Sequence, residues 1–140
     1  MPGERNSVRI VIDVNLWVSF AIGKQAIVIR NIVLHPLIES YTTSELIAEL
    51  KDVLKRPKLK KYITALKAKQ ALQLIKQSSF KFKSNSEVII CRDSSDDYLL
   101  AIAKDCQADY LITGDKDLLD MKNFEQTEII TLELFVKRFL

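Results

Sequence analysis

The strongest constraint on this chain is a pair of short apolar runs that each stop at a carboxylate. Ile10-Val11-Ile12 leads into Asp13, and Tyr110-Leu111-Ile112-Thr113-Gly114 leads into Asp115. Apolar residues without polar alternation, bounded after a few positions, fit strands buried on both faces inside a parallel sheet. Helical periodicity fills the intervals. Leu16 to Phe20 and Ala26 to Leu34 are predicted helices, split near Gly23. Ser44 to Arg56 sets Leu46, Leu50, Val53 and Leu54 on one face and is stopped by Pro57. Ala65 to Gln77, Asp96 to Cys106 and Leu132 to Phe139 complete the predicted helices. Ser40-Tyr41-Thr42 and Glu128-Ile129-Ile130 are further strands, Val88-Ile89-Ile90 is a strand or an extended connector, and Ser78 to Ser86 stays unassigned. Strands alternating with helices imply an α/β fold, with helices flanking a central, mainly parallel sheet.

The 140 residues fit one domain over 1–140, with 1–7 as a flexible N-terminal tail. A hydrophobic content of 48% excludes a disordered chain. No apolar run approaches the roughly 20 residues of a membrane span. Met1 to Ser7 lacks the charged-then-apolar order of a signal peptide, so a cytoplasmic location is expected. Cys91 and Cys106 are too few and too far apart for a zinc motif and are expected as buried free thiols. His35, before Pro36, has no histidine partner and is set aside as a ligand or acid–base group.

Charge is unevenly spread. Residues 55–83 hold ten of the 21 basic side chains, among them Lys58, Lys60 and Lys61, and none of the 18 acids. Such a block either meets a polyanion through phosphate contacts or is simply a solvated helix surface.

The acids are the informative polar residues. Functional groups of open parallel sheets gather at the carboxyl ends of the strands, where Asp13 and Asp115 stand. One such acid is often only a helix cap; two invite a second role, because a buried carboxylate needs solvent, a partner or a metal. At about 100° per residue, Asp96 shares a helix face with Leu99, Leu100 and Ala103, whereas Asp97 falls nearly opposite, on the surface or behind the site. Both also suit a helix N-terminus. Glu49 lies at the margin of its helix's apolar stripe, and Thr42-x-x-Glu45 has the spacing of a capping box.

Taken in order, these segments resemble the PIN domain. The resemblance rests on Ile12-Asp13-Val14-Asn15, on Ser44-Glu45-Leu46-Ile47-Ala48-Glu49-Leu50, on Arg92-Asp93-Ser94-Ser95-Asp96-Asp97 with Leu99 to Ala103, and on Ala108 to Leu119. It covers about residues 8 to 135 and is nearest to the toxin components of toxin–antitoxin pairs (VapC-like in the broad sense). It implies a three-layer α/β/α Rossmann-like fold and a ribonuclease dependent on Mg²⁺ or Mn²⁺. It implies Asp13, Glu49 and Asp96 as core acids with Asp115 as the fourth, and Asn15 and Thr113 as polar residues lining the site; Asp97 stays open as the alternative to Asp96, and Asp117 is a secondary acid. The partners it implies are RNA and a small antitoxin protein, and a homodimer is compatible with it. The chain departs from the branch at Ser94, where proline is usual, and at Asp105-Cys106-Gln107, where small residues are commoner.

Hard divalent cations take oxygen ligands, and three or four acids suffice for one ion or for two at about 3.5–4 Å. Asp13 suits a shared ligand, with Glu49 either a ligand or a group that orients water. A response-regulator phosphoacceptor would want adjacent acids after the first strand, and a haloacid-dehalogenase phosphatase a second aspartate where Asn15 stands; neither pattern is present. The remaining alternative is a catalytically silent PIN-like module for RNA or protein binding, against which the full acid set weighs.

Overall fold

The computed structural model describes residues 6–85 and 94–140. Val88-Ile89-Ile90, Cys91 and the first five residues of the expected tail lie outside them. Among the described residues, six strands form one sheet: β1 (Val8–Ile12), β2 (Ile38–Thr43), β3 (Ser79–Phe82), β4 (Tyr110–Ile112), β5 (Asn123–Phe124) and β6 (Thr127–Ile130). Their spatial order is β3-β2-β1-β4-β6-β5, parallel throughout except for the β5–β6 pair. The helices are α1 (Val14–Ile22), α2 (Ala26–Val33), α3 (Ser44–Leu54), α4 (Ala65–Ser78), α5 (Ser94–Asp105), α6 (Lys116–Met121) and α7 (Leu132–Phe139).

The chain steps outward from β1 to β2 to β3, then returns across the sheet to β4 and β6 on the other side of β1. Because parallel crossovers are right-handed, reversing direction sends the later helices to the opposite face. Accordingly α1, α3 and α4 pack on one another, while α5 contacts β1 and α6 contacts β6. The result is the expected three-layer α/β/α arrangement. The reversal lies between β1 and β4, so Asp13 and Asp115 follow the two strands that flank the switch point. β1 is buried on both faces, as its unbroken apolar run requires, with Ile10 and Val11 wholly inaccessible. Trp17 from α1 and Phe135 from α7 are the largest side chains sealed into the core.

Several boundaries depart from expectation, each for a local reason. α3 ends at Leu54 rather than Arg56, since the residue preceding Pro57 is forced into an extended conformation (Arg56 ψ 135°). Thr43, not Thr42, caps α3, its hydroxyl accepting from the Leu46 N–H at 3.2 Å; the Thr42–Glu45 spacing is therefore no capping box. Ser79 to Phe82, within the unassigned stretch, is an edge strand. Phe80 and Phe82 pack on Tyr41 from one face, leaving Ser79 and Lys81 to the other. The split at Gly23 follows from its left-handed backbone (φ 104°), which lets its N–H reach the Ser19 and Phe20 carbonyls and close α1.

Candidate metal centre

Each strand-end acid begins its work as a helix cap. Asp13 extends the β1–β4 ladder through its N–H to the Ile112 carbonyl (3.0 Å), and its carboxylate then accepts from the Asn15 N–H (3.3 Å) to cap α1. Asp115 caps α6 by accepting from the Asp117 N–H at 2.9 Å. Thr113 links the two. Its hydroxyl donates to Asp13 Oδ2 at 2.6 Å and accepts from the Asp115 N–H at 3.0 Å, so donor and acceptor capacity are both used. Thr113 is 1% exposed and Asp13 6%, placing a carboxylate in the protein interior with one hydroxyl and one amide as hydrogen-bond partners.

Asp13 and Asp115 each cap a helix, and four acids in all converge on one place. Asp13, Asn15, Glu49, Asp96, Tyr98 and Asp115 line one cavity of about 110 Å³ whose walls are almost wholly polar. It has room for about three or four waters at roughly 30 Å³ each. A nucleotide therefore stays outside, and only a small group reaches in. Burial raises the Asp13 carboxyl above its ordinary 3.8; the Thr113 and Asn15 hydrogen bonds oppose that rise, and the charges of Asp115 and Glu49 reinforce it.

Sequence reasoning missed Tyr98. It follows Asp97 on α5, and its hydroxyl donates a short hydrogen bond to Glu49. Burial, then the bond to Glu49, push its pKa far above the ordinary tyrosine value, so it remains a donor. The signal available in the sequence was position alone: Tyr98 lies two residues beyond Asp96 on the same helix. Asp97 is buried rather than superficial, yet Asp96 and not Asp97 lines the cavity. Lys58, Lys60 and Lys61 are exposed around the 3-10 turn after α3 and take no part in the cavity. His35 serves its own turn, Nδ1 accepting from the Leu37 N–H at 3.0 Å. Cys106 is buried, and burial pushes its thiol up to about 12, which makes it inert.

The donor set fits a hard divalent cation. One oxygen each from Asp96, Asp115 and Asp117 lies within 4.8 Å of the others. Oxygens on a common Mg²⁺ at about 2.1 Å are at most about 4.2 Å apart, so modest side-chain rotations would bring the three onto one ion. Asp117, a secondary acid by sequence, thus stands with Asp96 and Asp115, while Asp13 and Glu49 line the same cavity as Asp96 and Asp115. No histidine or cysteine belongs to this group, which disfavours softer metals.

Comparison with known proteins adds two findings. Residues 9–117 match the family model described as a PIN domain. The uncharacterized protein MJ1680 of Methanocaldococcus jannaschii is similar, at 28% identity over 123 residues, which cover 86% of this chain and 79% of that protein. Across the described residues, no helix is long and apolar enough to cross a membrane.

Proposed function

The chain belongs to the PIN-domain family, and on that footing we propose that it is a ribonuclease that hydrolyses phosphodiester bonds with the aid of Mg²⁺ or Mn²⁺. PIN domains in general are nucleases acting on RNA and typically use divalent metals. The observation that carries the reading for this chain is the convergence of Asp13, Glu49, Asp96 and Asp115, from four separate segments, on one small polar cavity.

In this reading Asp96, Asp115 and Asp117 would hold the cation, with Asp13 as a further ligand, and the ion would supply charge to offset the phosphodiester and to acidify a water. Thr113 keeps the Asp13 carboxylate in one orientation, and the raised affinity of Asp13 for a proton falls once opposing positive charge is present. Glu49, held by the Tyr98 hydroxyl, orients the attacking water through its other oxygen and takes up the proton that water loses. The small cavity admits the scissile phosphate and leaves ribose and base outside. Exposed Lys58, Lys60 and Lys61 contact the RNA backbone without chemistry; replacing all three should weaken binding and flatten its salt dependence. In the cell the chain acts as the toxin of a pair, neutralised by a small antitoxin protein. Its expression alone should arrest growth, and Asp13→Asn should relieve the arrest.

The test is cleavage of a labelled RNA with Mg²⁺, with Mn²⁺ and with EDTA, by wild type and by Asp13→Asn. Cleavage that needs metal and disappears in the variant is the expected result. Cleavage in EDTA, or full activity of Asp13→Asn, would overturn the mechanism.

A further inference from the structure

A second cavity lies on the other side of α3. Its floor is the sheet face formed by β2 and β3, and its walls are α3 and the end of α4; Thr42, Ser44, Lys51, Lys76, Ser79 and Lys81 line it. The parallel register pairs Thr42 with Lys81 and Ser40 with Ser79, which places these side chains on one face. A sheet face beneath helices is normally apolar, yet here Ser40, Thr42 and Ser79 bring three hydroxyls to it. Ser79 donates to Ser40 at 3.1 Å. The Thr42 hydroxyl, on a residue only 1% exposed, has no hydrogen-bond partner. A buried hydroxyl left unpaired is costly and calls for an explanation, of which an absent ligand is one.

Lys51, Lys76 and Lys81 line the same cavity, and among the described residues no carboxylate does. Among the described residues none of Lys51, Lys76 and Lys81 forms an ion pair. Ser44, in the first turn of α3, adds the positive end of a helix of 11 residues. The cavity measures about 510 Å³, within the roughly 300–1,000 Å³ of small-molecule sites. It is separate from the acid cavity. At about 100° per residue, Glu49 points roughly 150° away from the face that carries Ser44, Ile47, Ala48 and Lys51.

From this juxtaposition we infer that the cavity between β2, β3, α3 and α4 binds the phosphoryl group of a nucleotide, with Thr42 donating to a phosphoryl oxygen and Lys51, Lys76 and Lys81 neutralising its charge. Ile47 and Ala48 on the α3 wall offer an apolar surface to the attached ribose or base. The nucleotide is either free or part of an RNA strand, and the second source rests on the ribonuclease reading.

The experiment titrates the full chain, in EDTA so that nothing is cleaved, with adenosine 5′-monophosphate and with a short oligoribonucleotide. Amide shifts of Thr42, Ser44 and Lys51 and calorimetric affinity are recorded. Two variants accompany wild type. Thr42→Val removes only a hydroxyl that the fold does not use and should melt no lower than wild type; Lys51→Gln/Lys76→Gln/Lys81→Gln changes exposed side chains alone. Both should bind more weakly, Thr42→Val by about tenfold and the triple variant by more, with a flatter salt dependence. Saturable binding of the mononucleotide identifies a free nucleotide as the occupant; variant-sensitive binding of the oligonucleotide alone identifies an RNA strand. Asp13→Asn should bind as wild type does, so loss of cleavage and loss of this site are read separately. Absence of saturable shifts with both probes, or affinities unchanged in both variants, would overturn the proposal.

Discussion

Thr113→Val should destabilise the protein far more than a surface substitution, and more at neutral than at mildly acidic pH. The hydroxyl makes one buried and one partly buried hydrogen bond, donating to Asp13 Oδ2 at 2.6 Å and accepting from the Asp115 N–H at 3.0 Å. A bond to a charged group contributes about 1.5–3 kcal/mol and a neutral one about 0.5–1.5 kcal/mol, so valine, which keeps the shape but neither bond, should cost about 2–4 kcal/mol. For a chain of this length that corresponds to a melting temperature lower by roughly 10 °C. The pH dependence follows from which form of Asp13 is lost. Thr113 favours the ionised carboxylate, and its removal lifts a carboxyl already raised by burial still further. Stability is lost only where that carboxylate is ionised in wild type, so the cost shrinks once Asp13 is protonated in both proteins. Urea melts of wild type and variant in EDTA, at neutral and mildly acidic pH, measure this. A loss below about 0.5 kcal/mol, typical of an exposed site, or an equal loss at both pH values, would refute the bridging role of Thr113.

Four further outcomes are expected. Because burial holds the Asp13 carboxyl above 3.8, its contribution to native stability is complete below 3.8 and is lost as pH rises through the folded value; Asp13→Asn should lack this decline and, without metal, melt at least as high as wild type at neutral pH. Mn²⁺ at a hundredfold excess over its dissociation constant should stabilise wild type by about 2.7 kcal/mol and Asp13→Asn much less, as calorimetric melts with metal and with EDTA would reveal. Asp96→Asn should reduce RNA cleavage much more than Asp97→Asn, since only Asp96 lines the cavity; the reverse order of rates would assign the ligand to Asp97. Tyr98→Phe should lower kcat with little change in KM, because the lost hydroxyl holds Glu49 and lies apart from where the bulk of the RNA binds, and unchanged kcat would remove Tyr98 from the mechanism.

The central strands were legible because their burial on both faces leaves an unbroken apolar run, as at Ile10-Val11-Ile12. Asp13 and Asp115 were legible because each ends such a run. The edge strand Ser79–Phe82 was not, since only one face packs on aromatic neighbours and the other carries Ser79 and Lys81. Helical phase separated Asp96, which lines the cavity, from Asp97; of the two places it left for Asp97, on the surface or behind the site, burial excludes the surface. Capping went astray by one residue at Thr42 and Thr43, because adjacent threonines offer the same chemistry and only the backbone of Thr43 (ψ 166°) turns the hydroxyl toward Leu46. Tyr98 was invisible for a different reason. Its significance lies in reaching Glu49, 49 residues earlier in the chain, and no local pattern encodes such a meeting.

The Thr113–Asp13 hydrogen bond joins residues 100 positions apart, and that distance has a consequence during synthesis. Asp13 leaves the ribosome early, followed by the segment that bears Glu49, but neither can be held against Asp96 or Asp115 until the chain has been made through α6. β4 must slot beside β1 before Thr113 can fix the first acid, and closing so long a loop is among the slow steps of parallel-sheet folding. A nascent chain shorter than about Asp117 thus carries the early acids in an unassembled state. If the acids cut RNA, they are made beside the messenger and ribosome that encode them, and the long-range closure delays activity until synthesis has passed β4 and α6.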